Sequence, residues 1–333
     1  MERQGTDRVV LVVCLALALL SAPLVAVAQA PAKVFRVAYL SAGGRTPDGG
    51  PPAALREALR TLGYVEGRNI AYETRFAEGR FDRLPGLAAE LIGLKVDVIA
   101  AQGGTATTAA KEATTTTPIV MALSSGDAVA AGWIASLARP GGNVTGMSDE
   151  VVQLSAKRME ILKEAAPHAT RIAVVWNRED QGMTLRYREI ERAARTLRVD
   201  VQPYGVRDAD DFPAAFAEMT RRRPDAMFVV LDALTNLSRK QFIEFSAVHR
   251  IPTMYEQTFL VRDGGLMSYG PSAQDELRRT AVYIDRILKG AKPADLPAEQ
   301  PTRYYLSINM KAASALGLTF PPALLLRADD VIQ

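Results

Sequence analysis

The chain is poor in the residues from which most catalytic chemistry is built. Among 333 residues there is one cysteine, Cys14, and there are two histidines, His168 and His249. Cys14 lies in an amino-terminal apolar run that reads as a leader, so the mature chain is expected to carry no thiol. That excludes disulfides, thiolate catalysis, thiolate–zinc sites and iron–sulfur clusters. His168 follows Pro167 ahead of a strand and His249 ends a helix; both read as surface residues. No G-x-S-x-G elbow, no G-x-G-x-x-G after the first strand, no Walker lysine motif and no metal-spaced cluster of histidines or carboxylates occurs. The expectation is a protein that is not an enzyme and needs no cofactor and no metal. Charge is nearly balanced, with 40 Lys and Arg against 37 Asp and Glu and a net value of +3. The only tight basic run, Arg221-Arg222-Arg223, closes a helix, where cations suit the macrodipole. No basic stripe with interleaved aromatics appears, so nucleic acid is not an expected partner.

What is present begins with a targeting segment. Arg3 and Arg8 open it, Val9 to Leu20 form a short apolar run, and Ala26-Val27-Ala28 precede Gln29 as a small-x-small cleavage signal. Residues 1–28 are therefore expected to be a signal peptide cut after Ala28, with the product in the periplasm. The run is short for a bilayer span, and Cys14 behind Val12-Val13 lacks the small residue that lipid attachment needs. About 300 residues then remain, enough for two α/β domains.

The stretch Val96–Thr107, VDVIAAQGGTAT, organises the rest. Its apolar run shows no polar alternation and stops at Gln102-Gly103-Gly104-Thr105, as a strand buried on both faces does at its carboxyl edge. Thr105 is placed to cap a helix over Ala106–Ala113, with two glycines that let backbone approach a ligand. Strand–helix alternation runs four times from Val34, ending in a strand at Pro118–Leu123 and a helix at Ala128–Ala138. RPGGNVTG, Arg139–Gly146, then interrupts it. The alternation restarts at Arg171–Trp176, and landmarks recur about 130 residues on, Pro118 with Pro252 for example. The pattern predicts an α/β fold of two doubly wound parallel-sheet lobes. One strand–helix unit, Gly264–Pro271 with Gln274–Leu288, and the strand Thr302–Ile308 are left over. Returning the first to the amino lobe and the second to the carboxyl lobe gives three crossings, near Val144, Ser268 and Thr302. The expected lobes are then residues 34–144 plus 269–301 and 145–268 plus 302–333.

Ligands of open α/β sheets bind at the carboxyl ends of the strands. Here those tips are Ser41, Gln102 to Thr105 with Gly104 among them, Ser124-Ser125-Gly126-Asp127, Asn177, Asp232 and Tyr255-Glu256. Hydroxyls and helix-start N–H groups suit a carboxylate; Asp127, Asp232 and Glu256 suit an ammonium. Thr105 and Asp127 also read as plain helix caps, and Tyr39, Tyr255 and Tyr269 as core or hinge packing instead of ring-stacking partners.

Four stretches carry a family likeness: RPGGNVTG, the GGT-plus-alanine helix at Gly103–Ala110, GGLMSYG at Gly264–Gly270, and Asn309…Gly317 followed by Arg327-Ala328-Asp329. Together they resemble the ABC-transporter substrate-binding family that includes tryptophan- and tyrosine-binding members, over essentially the whole mature chain. The resemblance implies a type I periplasmic-binding-protein fold with three hinge strands, a solute trapped between the lobes, and delivery to an ABC permease. SSGDAVAAG departs from it, with Ala128 where relatives commonly carry proline. The expected protein is an exported, monomeric solute-binding component of an ABC importer, its small-molecule ligand an amino acid and an aromatic one the leading candidate. Thr105, Ser124, Ser125 and Ser41 are expected to hold the anionic end, Asp232 and Asn177 the opposite polar end, and Tyr255 or Tyr269 the apolar part. A sensor domain for a signalling receptor and a two-lobed transferase are the alternatives.

Overall fold

A strand whose apolar residues run without alternation must be covered on both faces, and this chain builds two sheets that meet the demand. The computed structural model describes residues 33–123, 126–148 and 151–333; the expected leader lies outside them. Strands β1 (Phe35–Ser41), β2 (Ile70–Phe76), β3 (Val98–Gln102), β4 (Ile119–Ala122) and β5 (Val144–Gly146) form a parallel sheet in the order β2-β1-β3-β4-β5. Successive side chains of a strand point to opposite faces. Val37, Tyr39, Val98 and Val120 accordingly pack with Leu55 and Leu59 of helix α1 (Ala53–Thr61). Ala38, Leu40, Ile99 and Met121 pack the other way, on α2 (Leu84–Gly93) and α3 (Gly103–Ala113).

The second sheet holds β6 (Arg171–Asn177), β7 (Asp200–Val206), β8 (Ala226–Val229), β9 (Thr253–Tyr255), β10 (Met267–Gly270), β11 (Tyr305–Asn309) and β12 (Asp330–Ile332), in the order β12-β11-β10-β9-β8-β6-β7. Only the β10–β11 pair is antiparallel. One face packs on α4 (Val151–Ala165) and α5 (Gln181–Thr196), through Met159, Leu162, Met183 and Ile190. The other packs on α6 (Phe212–Arg222), α7 (Ala233–Leu237), α8 (Arg239–His249) and α9 (Thr258–Arg262). The fold is thus α/β with two sheets, parallel in the main, and interleaved helices. Among the described residues no helix is long and apolar enough to cross a membrane.

Three passages link the sheets. The first leaves β5 through Met147-Ser148. The second leaves β10 after Gly270 and leads to α10 (Ala273–Leu288), whose Leu277, Ala281 and Ile284 cover the first sheet beside α1. The third runs from Glu299 to β11. First and third lie side by side: Ser148 N–H donates to Glu299 O at 2.8 Å and Glu299 N–H to Gly146 O at 3.0 Å. The first two passages fall just beyond the expected crossings near Val144 and Ser268, and the third spans Thr302.

Three expectations are corrected. The strand in Gly264–Pro271 does not return to the first sheet with its helix. Met267 and Ser268 pair with Met254 and Tyr255, and Tyr269 and Gly270 with Leu306 and Tyr305, so only α10 crosses. The helix expected over Ala128–Ala138 is a series of turns, because Gly132 takes a φ of 69° and ends it after one turn. Thr105 is not a cap: α3 begins two residues earlier, behind Gln102, and Thr105 lies in its first turn.

β5 sits so close to β4 that its last residue must be glycine. Gly146 has a φ of 122°, and a Cβ there would lie 2.6 Å from both the N and the O of Met121. Gly146→Ala combines left-handed strain with a backbone clash and is expected to cost roughly 2–5 kcal/mol. Urea titration followed by circular dichroism measures it, and a loss below about 1 kcal/mol would contradict the packing described.

Candidate functional site

The carboxyl ends of β1, β3 and β4 in the first sheet, and the chain just beyond β6, β8 and β9 in the second, converge on a cavity of about 140 Å³. The first sheet contributes Ser41, Gln102 to Thr105, Phe81 and Leu123, and α10 adds Ala273 and Glu276. The other wall is Leu154 and Arg158 of α4, Asp180 and Arg186 from the start of α5, Leu231, Asp232 and Asn236 around α7, and Glu256, Gln257 and Phe259.

On the first wall the hydroxyls of Tyr39 and Ser41 are committed inward. Tyr39 and Ser41 both donate to Gln102 Oε1, at 2.6 and 2.9 Å, and Ser41 Oγ accepts from Gly43 N–H. Burial pushes the Tyr39 phenol far above its ordinary pKa, so it stays a donor. Gln102 is left with its amide nitrogen to offer a ligand. Thr105 and Gly104 bring the first turn of α3 to the same wall.

The second wall carries buried charge. Glu256, 3% exposed, accepts from Arg158 Nη1 at 2.8 Å, Arg186 Nη1 at 2.6 Å and Leu231 N–H at 3.2 Å. Arg158 Nε also donates to Tyr269 O at 2.6 Å. Arg158 and Arg186 are 2% and 4% exposed. Both sit on the buried stripes of their helices: Arg186 falls between Met183 and Ile190, as Arg158 does between Ser155 and Leu162. Asp232 caps α7, with Oδ1 accepting from Thr235 N–H at 2.8 Å, while Asn177 Nδ2 donates to Oδ2 at 2.8 Å. Burial raises its carboxyl pKa against those hydrogen bonds, and the neighbouring Asp180 charge adds to the rise. Among the lining residues, Arg186 Nε and Asn236 Oδ1 are buried without a hydrogen-bond partner.

Of the residues expected at the site, Ser41, Gln102, Gly104, Thr105 and Asp232 line the cavity, while Asn177 stands behind Asp232 and orients it. Asp127 lies elsewhere. It accepts from Val129 and Ala130 N–H and borders a neighbouring groove of about 470 Å³, whose charged residues are Glu112, Asp127, Glu179 and Asp180. Tyr255 is 1% exposed in the core, its ring over Gly265. Adjacent strand residues face opposite ways, so Glu256 reaches the cavity and Tyr255 does not. Tyr269 reaches the wall only through its carbonyl; its ring packs near Tyr304. Ser124 and Ser125 lie outside the described residues. Arg158, Arg186, Asn236, Phe81 and Phe259 line the cavity without having been singled out in the sequence. An arginine on an apolar helical stripe is the signal that would have found the first two.

The two walls also touch directly. Phe81 packs against the cores of both sheets, and Ala233 against the first. Leu237, at the end of α7, fits a notch at Gly44 and Gly79, where an added Cβ would come within 3.0 and 2.9 Å of its methyl groups.

The sequence model of a family described as ABC transporter substrate binding protein matches residues 53–332. A tyrosine-binding protein of Clostridioides difficile (strain R20291) is 26% identical over 263 residues, 79% of this chain and 75% of that protein. A conserved domain protein from Vibrio cholerae superposes with a TM-score of 0.82 at 26% identity, over 90% of this chain and 100% of its own. A Streptococcus pneumonia protein in complex with L-Trp also gives 0.82, at 24% identity and the same coverage.

Glu256→Gln leaves two buried guanidinium groups around an uncharged side chain and is expected to cost about 3–5 kcal/mol of folding stability. Glu299→Gln, which breaks the more exposed pair with Arg279, is expected to cost under about 1 kcal/mol. Parallel urea titrations compare them, and equal losses would contradict the assignment.

Proposed function

The chain belongs to the ABC transporter substrate-binding protein family, and from that premise we propose that it is an exported solute-binding protein which traps an amino acid between its two sheets and hands it to a membrane permease. The carrying observation is a cavity whose walls come from both sheets and pair cationic with acidic groups, Arg186 and the first turn of α3 with Asp232 and Asp180. A zwitterion uses both. Phe81, Phe259, Leu123 and Leu231 supply apolar surface for a side chain, and the tyrosine-binding relative supports an aromatic one.

Each sheet with its helices acts as a lobe, and the three passages act as the hinge. Ligand contacts made to both lobes favour the closed arrangement over the open one, which gives a permease a shape to read. The walls hold the solute and release it unchanged.

The exported protein, denatured without prior dialysis, should release a bound amino acid recognisable by mass spectrometry. A thermal-shift screen of the common amino acids should show at least one that stabilises the fold, by roughly 3 kcal/mol at a hundredfold excess over Kd. If no amino acid co-purifies and none stabilises the protein, the amino-acid assignment is wrong.

Asp232 gives the assignment a pH signature. Its carboxyl is held above the ordinary carboxylate range by burial; a ligand ammonium beside it favours the ionised form and lowers that pKa. Binding then expels a proton in the window between the ordinary and the raised value, so affinity rises as pH rises through that window. Calorimetry in buffers of different ionisation heat reads the released proton, and Asp232→Asn should abolish it. A proton release that persists in the variant belongs to another group.

A further inference from the structure

Resting on the amino-acid reading, we propose that Arg186 is the carboxylate receptor of the cavity, so that the acidic end of the solute is fixed on the second lobe and not by the hydroxyls of the first. The hydroxyls of Ser41 and Tyr39 are spent. Ser41 and Tyr39 both donate to Gln102, and Ser41 accepts from Gly43. Arg186 is not spent. Its Nη1 donates to Glu256 Oε2 at 2.6 Å and lies 3.4 Å from Leu231 O, while its Nε is buried and has no partner, and the residue lines the cavity.

A guanidinium does not shed its proton, and each buried N–H left unmade is costly. As a structural partner for Glu256, Arg186 would need only the Nη1 contact it already has. The remaining side, Nε together with Nη2, is the pair of parallel donors that a carboxylate accepts in two-pronged fashion. Glu256 fixes the plane of that fork by holding Nη1, and Arg158 holds the opposite oxygen of Glu256. Glu256 and Arg158 are thus positioning residues that preorganise the receptor. Elsewhere on the same wall, Asn236 Oδ1, buried and unpartnered, and the Asp232 carboxyl offer acceptors to an ammonium. Donors at Arg186 and acceptors around α7 define the orientation of the zwitterion.

The test compares L-tyrosine, L-tyrosinamide and 3-(4-hydroxyphenyl)propanoate by calorimetry on the wild-type protein, Arg186→Gln and Arg186→Lys, with folding checked by circular dichroism. The wild type should bind the acid roughly 10- to 100-fold more tightly than its amide, the worth of a charge-assisted pair. Arg186→Gln should close that gap to within about threefold, and Arg186→Lys, which keeps the charge but not the fork, should leave an intermediate gap. A wild type indifferent to the amide overturns the proposal without recourse to either variant. So does a full acid–amide gap retained in both variants. Binding of the propanoate without tyrosine would sink the amino-acid reading and leave Arg186 to be judged on the propanoate and its own amide. Binding of neither acid sinks both.

Discussion

One buried carboxylate holds the second wall of the cavity in shape. Glu256 takes donors from α4, from α5 and from the backbone beyond β8, and Arg158 carries the connection on to the carbonyl of Tyr269 in β10. In water these contacts would be worth little, as with the exposed Lys157–Glu160 pair. Out of water, the desolvation of three charges is tolerable only while every contact is kept, so the segments that meet there move together or not at all. Gly270 shows how tightly they meet: a Cβ on it would lie 1.9 Å from the Glu256 carbonyl oxygen. The cavity-facing surface on this side is therefore preset.

The connection between the two sheets is made by short irregular stretches. β10 stays in the second sheet while α10, two residues later, covers the first. The short stretch between them, with the paired strands of backbone at Met147-Ser148 and Glu299, carries the whole change of sheet. Regular structure ends on either side of these passages, so the rotation proposed for ligand closure would fall on a few backbone dihedrals and spare both cores.

Much of this was legible in the sequence because burial on both strand faces leaves unbroken apolar runs: Val98–Ala101, Ile119–Ala122 and Ile172–Trp176 all became strands. The repeated alternation likewise announced two sheets, and the tips at Ser41, Gln102 and Asp232 arrived at one cavity. What failed did so for identifiable reasons. Ala128–Ala138 has helical composition, but Gly132 adopts a conformation no helix continues through. Tyr255 and Glu256 looked equivalent as neighbours at a strand end, although the pleat sends only one of them to the cavity. Arg158 and Arg186 were overlooked because arginine in a helix usually marks solvent; only its position on the apolar stripe distinguishes the buried case. β12 was missed because Asp330–Ile332 is too short and exposed to differ from a tail.

The seating of Leu237 between Gly44 and Gly79 lies away from the cavity and is indifferent to its contents. Under the proposed function this contact would be made and broken with every closure, whatever the cavity holds. It would then set how readily the two walls meet and leave untouched which solute they select.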